Sequence, residues 1–171
     1  MNTKDMKIEP ANLSMLDDIL RVYAEAREFM RECGNSEQWG GGYPPKETVI
    51  SDINGGKLYA VTSDEVLAVF YFCLEEEPTY ATIYDGEWKN SAPYGVIHRV
   101  AVGNCGRGLG ISSLIFSFCK EHTDNLRIDT HRDNIPMQRA LARAGFSYCG
   151  IIRLASGDER LAYQYALEKD R

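Results

Sequence analysis

VIHRVAV (Val96–Val102) runs directly into GNCGRGLG (Gly103–Gly110), and a segment of helical periodicity follows. The first seven residues are mostly β-branched and apolar, the composition of a strand. Beyond them, apolar residues recur at Leu109, Ile111, Leu114, Ile115, Phe118 and Cys119, the spacing of a helix packed against a sheet. Glycines at 106, 108 and 110 remove side chains where the strand enters that helix. Backbone N–H groups at such a junction converge on an anion, aided by the helix dipole. Arg107 adds a guanidinium suited to a phosphate. Three alternating glycines plus an arginine favour a phosphate-binding loop over a turn made small only for packing.

Two common phosphate motifs fit this loop poorly. Gly103 and Gly108 have the spacing of a P-loop, but Leu109-Gly110 stands where Lys and Ser/Thr are required. A dinucleotide fingerprint would read Gly108-x-Gly110-x-x-Ser113, with Asp129 near the end of the next strand. There Ser113 replaces the third glycine, and too little chain follows for a second mononucleotide-binding half.

Working outward, Asn12–Cys33 carries Leu16, Ile19, Leu20, Tyr23, Ala26 and Met30 at helical spacing, with Gly34-Asn35 as its stop. Residues 38–45 (QWGGGYPP) read as a loop, and Lys46–Asn54 as a short helix. Lys57–Ser63 and Val66–Leu74 form a hairpin around Asp64-Glu65, and Thr79–Tyr84 reads as a further strand piece. Downstream, Leu126–Thr130 is a strand and Asn134–Ala144 a helix closed by Gly145. Phe146–Ile152 and Leu161–Leu167 complete the pattern as strands. The predicted order, ααββ(β)βαβαββ, is an α/β protein with a mixed sheet and a central β-α-β unit. No linker, repeat or low-complexity tract interrupts residues 1–171, so a single domain is expected.

The central unit resembles the acetyl-CoA signature of the GNAT superfamily of N-acetyltransferases. Val100-Ala101-Val102 matches its strand end, and Gly108-Leu109-Gly110 supplies its glycines, with Gly106 and Arg107 before them. Downstream, Leu126–Thr130, Asn134 and Ala144-Gly145-Phe146 match the family's strand, helix-opening Asn and terminal Gly-Phe. The resemblance implies a mostly antiparallel twisted sheet flanked by helices. It implies acetyl-CoA as co-substrate, without a metal, and transfer to a primary amine of a small molecule or peptide by direct attack in a ternary complex. Two positions depart from the pattern. Cys105 stands where the family has Gln or Arg, and Leu141 where it often has a tyrosine that protonates the departing thiolate. These departures keep a rival reading open, a non-catalytic acyl-CoA-binding module on the same scaffold.

The resemblance places pantetheine against Val100, Ala101 and Val102. It places the phosphates on the amides of Gly106, Arg107, Gly108, Leu109, Gly110 and Ile111, with Asn134 as a further contact. A base must neutralise the acceptor ammonium, whose ordinary pKa is about 10.4. The candidates are His98 within the strand, Asp129 near the end of the next, and His131 just past it. In this family the acceptor pocket comes from the N-terminal half, where Trp39, Tyr43, Trp88 and Tyr94 are aromatics in predicted loops. The acidic run Glu75-Glu76-Glu77 reads most simply as a solvated strand end.

Composition narrows the class. With 44% hydrophobic and 26% charged residues, the 171-residue chain is neither disordered nor a disulfide miniprotein. Five cysteines, an odd number without C-x-x-C spacing, fit reduced thiols in a cytoplasm. No run approaches the roughly 18 apolar residues of a membrane span, and Met1–Pro10 lacks a signal-peptide core. A net charge of -6 argues against nucleic acid as partner; a homodimer is left open. Yet residues 96–153 hold 8 Lys/Arg against 4 Asp/Glu, while residues 1–95 hold 8 against 17. A basic segment within an acidic chain suits an anionic ligand, and the acidic half suits a cationic amine.

Overall fold

In a computed structural model, residues 6–167 form one seven-stranded sheet covered by helices on both faces. The strands are β1 (Lys7–Pro10), β2 (Leu58–Thr62), β3 (Val66–Cys73), β4 (Gly95–Val102), β5 (Asn125–Thr130), β6 (Ser147–Arg153) and β7 (Glu159–Ala166). The helices are α1 (Leu16–Glu32), α2 (Lys46–Asn54), α3 (Ile111–His122) and α4 (Ile135–Arg143). Spatial order is β1-β2-β3-β4-β5-β7-β6, and only β4 and β5 run parallel. Among the described residues no helix is long and apolar enough to cross a membrane.

The two faces explain the sequence patterns. α1 buries Ile19, Val22, Tyr23 and Ala26 against Ala60, Val66, Val69 and Ala101. On the opposite face α3 and α4 bury Ile111, Ile115, Phe116 and Leu141 against Leu67, Phe70, Ile97 and Leu126. β3 (VLAVFYFC) is apolar throughout because both of its faces are covered.

Two expectations change. Thr79–Tyr84 is not a strand: Pro78–Tyr80 forms a 3-10 turn, capped by the Glu77 carboxylate accepting from Thr79 N at 3.2 Å. Proline cannot donate to a ladder, and Tyr84 alone of this segment bridges the sheet, at Ile151. β1, absent from the predicted order, pairs antiparallel with β2. Its four residues are too short a run to show alternation.

Two irregularities surround β4. Val69 faces Ala101 and Tyr71 faces His98, so Arg99 and Val100 together stand opposite Phe70 in a bulge. Arg99 takes φ +50, and its guanidinium is pinned to Asp52 at 2.8 and 2.9 Å. The parallel pairing of β4 with β5 ends at Ile97 and Ile128, and β4 continues to Val102 without it.

Packing also fixes one loop glycine. A Cβ on Gly106 would stand 2.7 Å from Ile111 Cδ1 and 2.9 Å from the Leu67 carbonyl. Gly106→Ala is expected to destabilise the fold by roughly 1–3 kcal/mol through overpacking. A urea-unfolding curve superimposed on that of the wild type would contradict this account of the turn.

Candidate active site

Where β4 leaves β5, two cavities open and meet. The first, of about 440 Å³, lies between the end of β4 and the starts of α3 and α4. The second, of about 510 Å³, lies below the bulge between β4, β5 and the loop after α1. Met30, Val100, Asn134 and Met137 line both.

The first cavity presents donors. No side chain caps α3, so the amides of its first turn have no intrahelical acceptor. Gly108 and Gly110 adopt φ +77 and +72, the left-handed region, and a Cβ on either would meet nothing within 4 Å. Backbone conformation, not crowding, selects glycine there. Arg107 lines the cavity with its guanidinium 4.2 Å above the Phe29 ring and donating to the Glu25 carbonyl at 2.9 Å. Arg143 of α4 lines the same cavity. Free amides and two guanidinium groups beside open space match a pyrophosphate, and the unpaired end of β4 offers backbone to an extended chain.

The second cavity holds titratable groups. His98 Nε2 lies 3.0 Å from Glu77 Oε2, and Nδ1 lies 3.6 Å from Asp129 Oδ1. Asp129 Oδ1 accepts from the buried Tyr80 hydroxyl at 2.6 Å. Burial, then the Asp129 charge, push that phenol well above its ordinary value, so it remains a donor. The hydrogen bond from His98, reinforced by the Thr79 amide, holds the Glu77 carboxyl at about 2, despite partial burial. An ionised carboxylate only accepts, so His98 Nε2 carries the hydrogen. In neutral His98 the lone pair therefore sits on Nδ1.

A scan against protein-family models finds no match, and a search of curated proteins finds none. Solved structures do match. An acetyltransferase of the GNAT family from Streptococcus agalactiae 2603 is 31% identical, with 96% of each chain covered and a TM-score of 0.87. The chain belongs to the GNAT family of acetyltransferases. A GNAT-family acetyltransferase from Listeria monocytogenes 4b F2365 is 15% identical over 95% of each chain, with a TM-score of 0.70. The NatC complex, solved bound to Gag peptide and CoA, contains a chain 13% identical with a TM-score of 0.63, covering 96% of this chain and 99% of that one. Acetyl transfer is the activity of the GNAT family, and acetyl-CoA its acyl donor.

On this GNAT scaffold the sequence-predicted residues divide. Val100, Ala101, Val102, Gly106, Arg107, Gly108, Gly110, Ile111 and Asn134 line the first cavity. Leu109 instead packs against the core. Asn134 caps α4, accepting from Met137 N at 3.2 Å, and donates its amide to Gln38 at 2.9 Å. His98, Asp129, Trp39 and Tyr43 line the second cavity. His131 lines neither: its Nδ1 accepts the Asp133 amide at 3.1 Å, because β5 has ended and the chain turns into α4. Burial, then the charge of Arg160, lower its pKa. Trp88 and Tyr94 also line neither. They sandwich the buried Arg127 at 4.2 and 4.0 Å, behind Tyr80. Leu141 is fully buried (0% exposed) and lines neither cavity, whereas its neighbour Ala140 lines the first.

Glu77 was not among the predicted site residues. Its acidic neighbours suggested solvent, and only the turn at Pro78 directs it inward. A glutamate just before Pro-Thr, able to cap that turn, was the available signal.

Glu77 titrates near 4.5 when unfolded and at about 2 when folded. Its pairing therefore adds stability that is complete above pH 4.5 and lost as the pH falls toward 2. Glu77→Gln is expected to cost about 1–2 kcal/mol at pH 7, allowing for solvent screening. The wild-type and variant unfolding free energies should converge between pH 4.5 and 2; a constant gap would exclude the ionised pair.

Proposed function

We propose that the chain transfers the acetyl group of acetyl-CoA to a primary amine held in the second cavity. One observation carries this reading: the cavity that fits a nucleotide phosphate and an extended arm opens into one holding an oriented imidazole. The family supports the donor, and the unpaired end of β4 beside the first cavity supports its placement there.

When bound, acetyl-CoA supplies a thioester whose carbonyl carbon the amine nitrogen attacks, so that a C–N bond forms, the C–S bond breaks and the thiolate leaves. The first-turn amides of α3, with Arg107 and Arg143, hold the phosphates. Around Val100 the bulge breaks the regular ladder and frees backbone donors for the carbonyl oxygen. Asp129 attracts the ammonium, and His98 Nδ1 takes its proton, while Glu77 fixes the ring and balances the imidazolium. Leu141 brings no acid to the sulfur. A thiol of pKa about 8.5 makes a leaving thiolate that needs none.

His98→Gln should lower kcat about 10²- to 10⁴-fold while leaving CoA affinity unchanged. A binding module would instead be stabilised by CoA yet release no thiol from acetyl-CoA with any amine. Glu77→Gln should lower kcat and also scramble the ring tautomer, read as the 15N shifts of His98. A pure Nε2–H tautomer in that variant would remove Glu77 as the positioning residue.

Gly108→Val projects into open space, so the cost to the fold is the left-handed φ alone, roughly 1–2 kcal/mol. CoA binding measured by calorimetry should weaken about tenfold or more, since the side chain enters the phosphate space. Unchanged CoA affinity in folded Gly108→Val protein would overturn the assignment of this loop.

A further inference from the structure

The lining of the second cavity carries a charge without a counterion among the described residues. Arg160 is buried, at 8% exposure, and lines the cavity. Its one hydrogen bond among the described residues goes from Nη1 to the carbonyl of the adjacent Glu159, at 3.0 Å. No carboxylate lies within 4.0 Å of it among the described residues: Glu159 pairs with Arg153, and Asp158 accepts from Ser156. Arg99, in the same cavity, is by contrast neutralised by Asp52. A buried guanidinium left unpaired costs several kcal/mol, so a site that keeps one has a use for it.

A second observation points to the same place. Gln38 lines the cavity too, and its carbonyl oxygen is occupied by Asn35 and Asn134 at 2.8 and 2.9 Å, which leaves its NH₂ group as a donor. The cavity thus offers a donor and a positive charge at Gln38 and Arg160, and acceptors at Glu77, Asp129 and His98.

We propose that the acceptor is an amino carboxylate, its ammonium at Asp129 and His98 and its carboxylate on Arg160. This rests on the acetyltransferase reading and names the substrate class for it. The planar fork of a guanidinium matches a carboxylate in a bidentate pair. Asp158, which also lines the cavity near Arg160, disfavours a dianion such as a phosphate ester. The zwitterion then matches both signs of charge in the cavity lining.

The test uses the full chain with acetyl-CoA and α-, β- and γ-amino carboxylates, each against its own carboxamide, with 2-aminoethyl phosphate as a further arm. At least one carboxylate should exceed its carboxamide in kcat/KM by about tenfold or more. Arg160→Gln should remove about 10- to 100-fold from that carboxylate and little from the carboxamide, with CoA affinity unchanged; Arg160→Lys should fall between. Because wild-type selectivity is read first, a failure of Arg160→Gln to fold leaves the proposal falsifiable. Equal turnover of carboxylates and carboxamides, or preference for the phosphate, would overturn it. If no amine is acetylated, calorimetry on the CoA-loaded protein decides. Arg160-dependent binding of an amino carboxylate would keep this subsite while sinking acetyl transfer to amines, and no binding would sink the subsite.

Discussion

The site depends on the parting of β4 from β5. Parallel pairing stops at Ile97 and Ile128, and from His98 onward β4 is a strand with one partner. A strand cannot hold that position unless something fixes its path. Here the bulge at Arg99–Val100 bends it, and Arg99 Nε and Nη2, both on Asp52 Oδ2 of α2, anchor the residue that carries the positive φ. Burial raises the Asp52 pKa despite the adjacent guanidinium, so the anchor is an ion pair largely withdrawn from water. Breaking such a pair leaves a buried charge uncompensated and costs about 3–5 kcal/mol. Tyr71 and Tyr43 close around the same guanidinium, which ties the bulge to the aromatic wall of the second cavity.

Both chambers follow from that geometry. Above the bulge, unpaired backbone and the start of α3 line the first cavity with unpaired main-chain donors. Below it, β4 turns His98 toward Glu77 while β5 sets Asp129 beside the ring. Tyr80 holds Asp129 from behind, and Arg127 fixes the Trp88 and Tyr94 rings that back Tyr80. The aromatics expected at the acceptor thus divide in role. Trp39 and Tyr43 face the cavity, whereas Trp88 and Tyr94 cover a buried cation one layer away.

The loop of alternating glycines and the helix after it were legible because each is a local property. Periodicity marks α1, α3 and α4, and the left-handed turns at Gly108 and Gly110 need glycine whatever surrounds them. Glu77 was hidden because its charge run resembles a solvated end. Its burial comes from packing of the segment 78–94 across the sheet. Leu141 illustrates the reverse: a familiar position in sequence, yet a core side chain in space.

The sequence by itself determined the order of elements from α1 onward, apart from the turn at 78–80, and the left-handed glycine turn, since main-chain conformation responds to neighbours a few residues away. Tertiary structure alone decided which charges meet. Asp52 and Arg99, Glu77 and His98, and Tyr80 and Asp129 come from segments distant in the chain and joined only by sheet pairing. Arg160 without a carboxylate is likewise invisible in one dimension. Pairing is a property of distance in space, and the dielectric that makes an unpaired charge matter exists only once the sheet and its helices have closed around it.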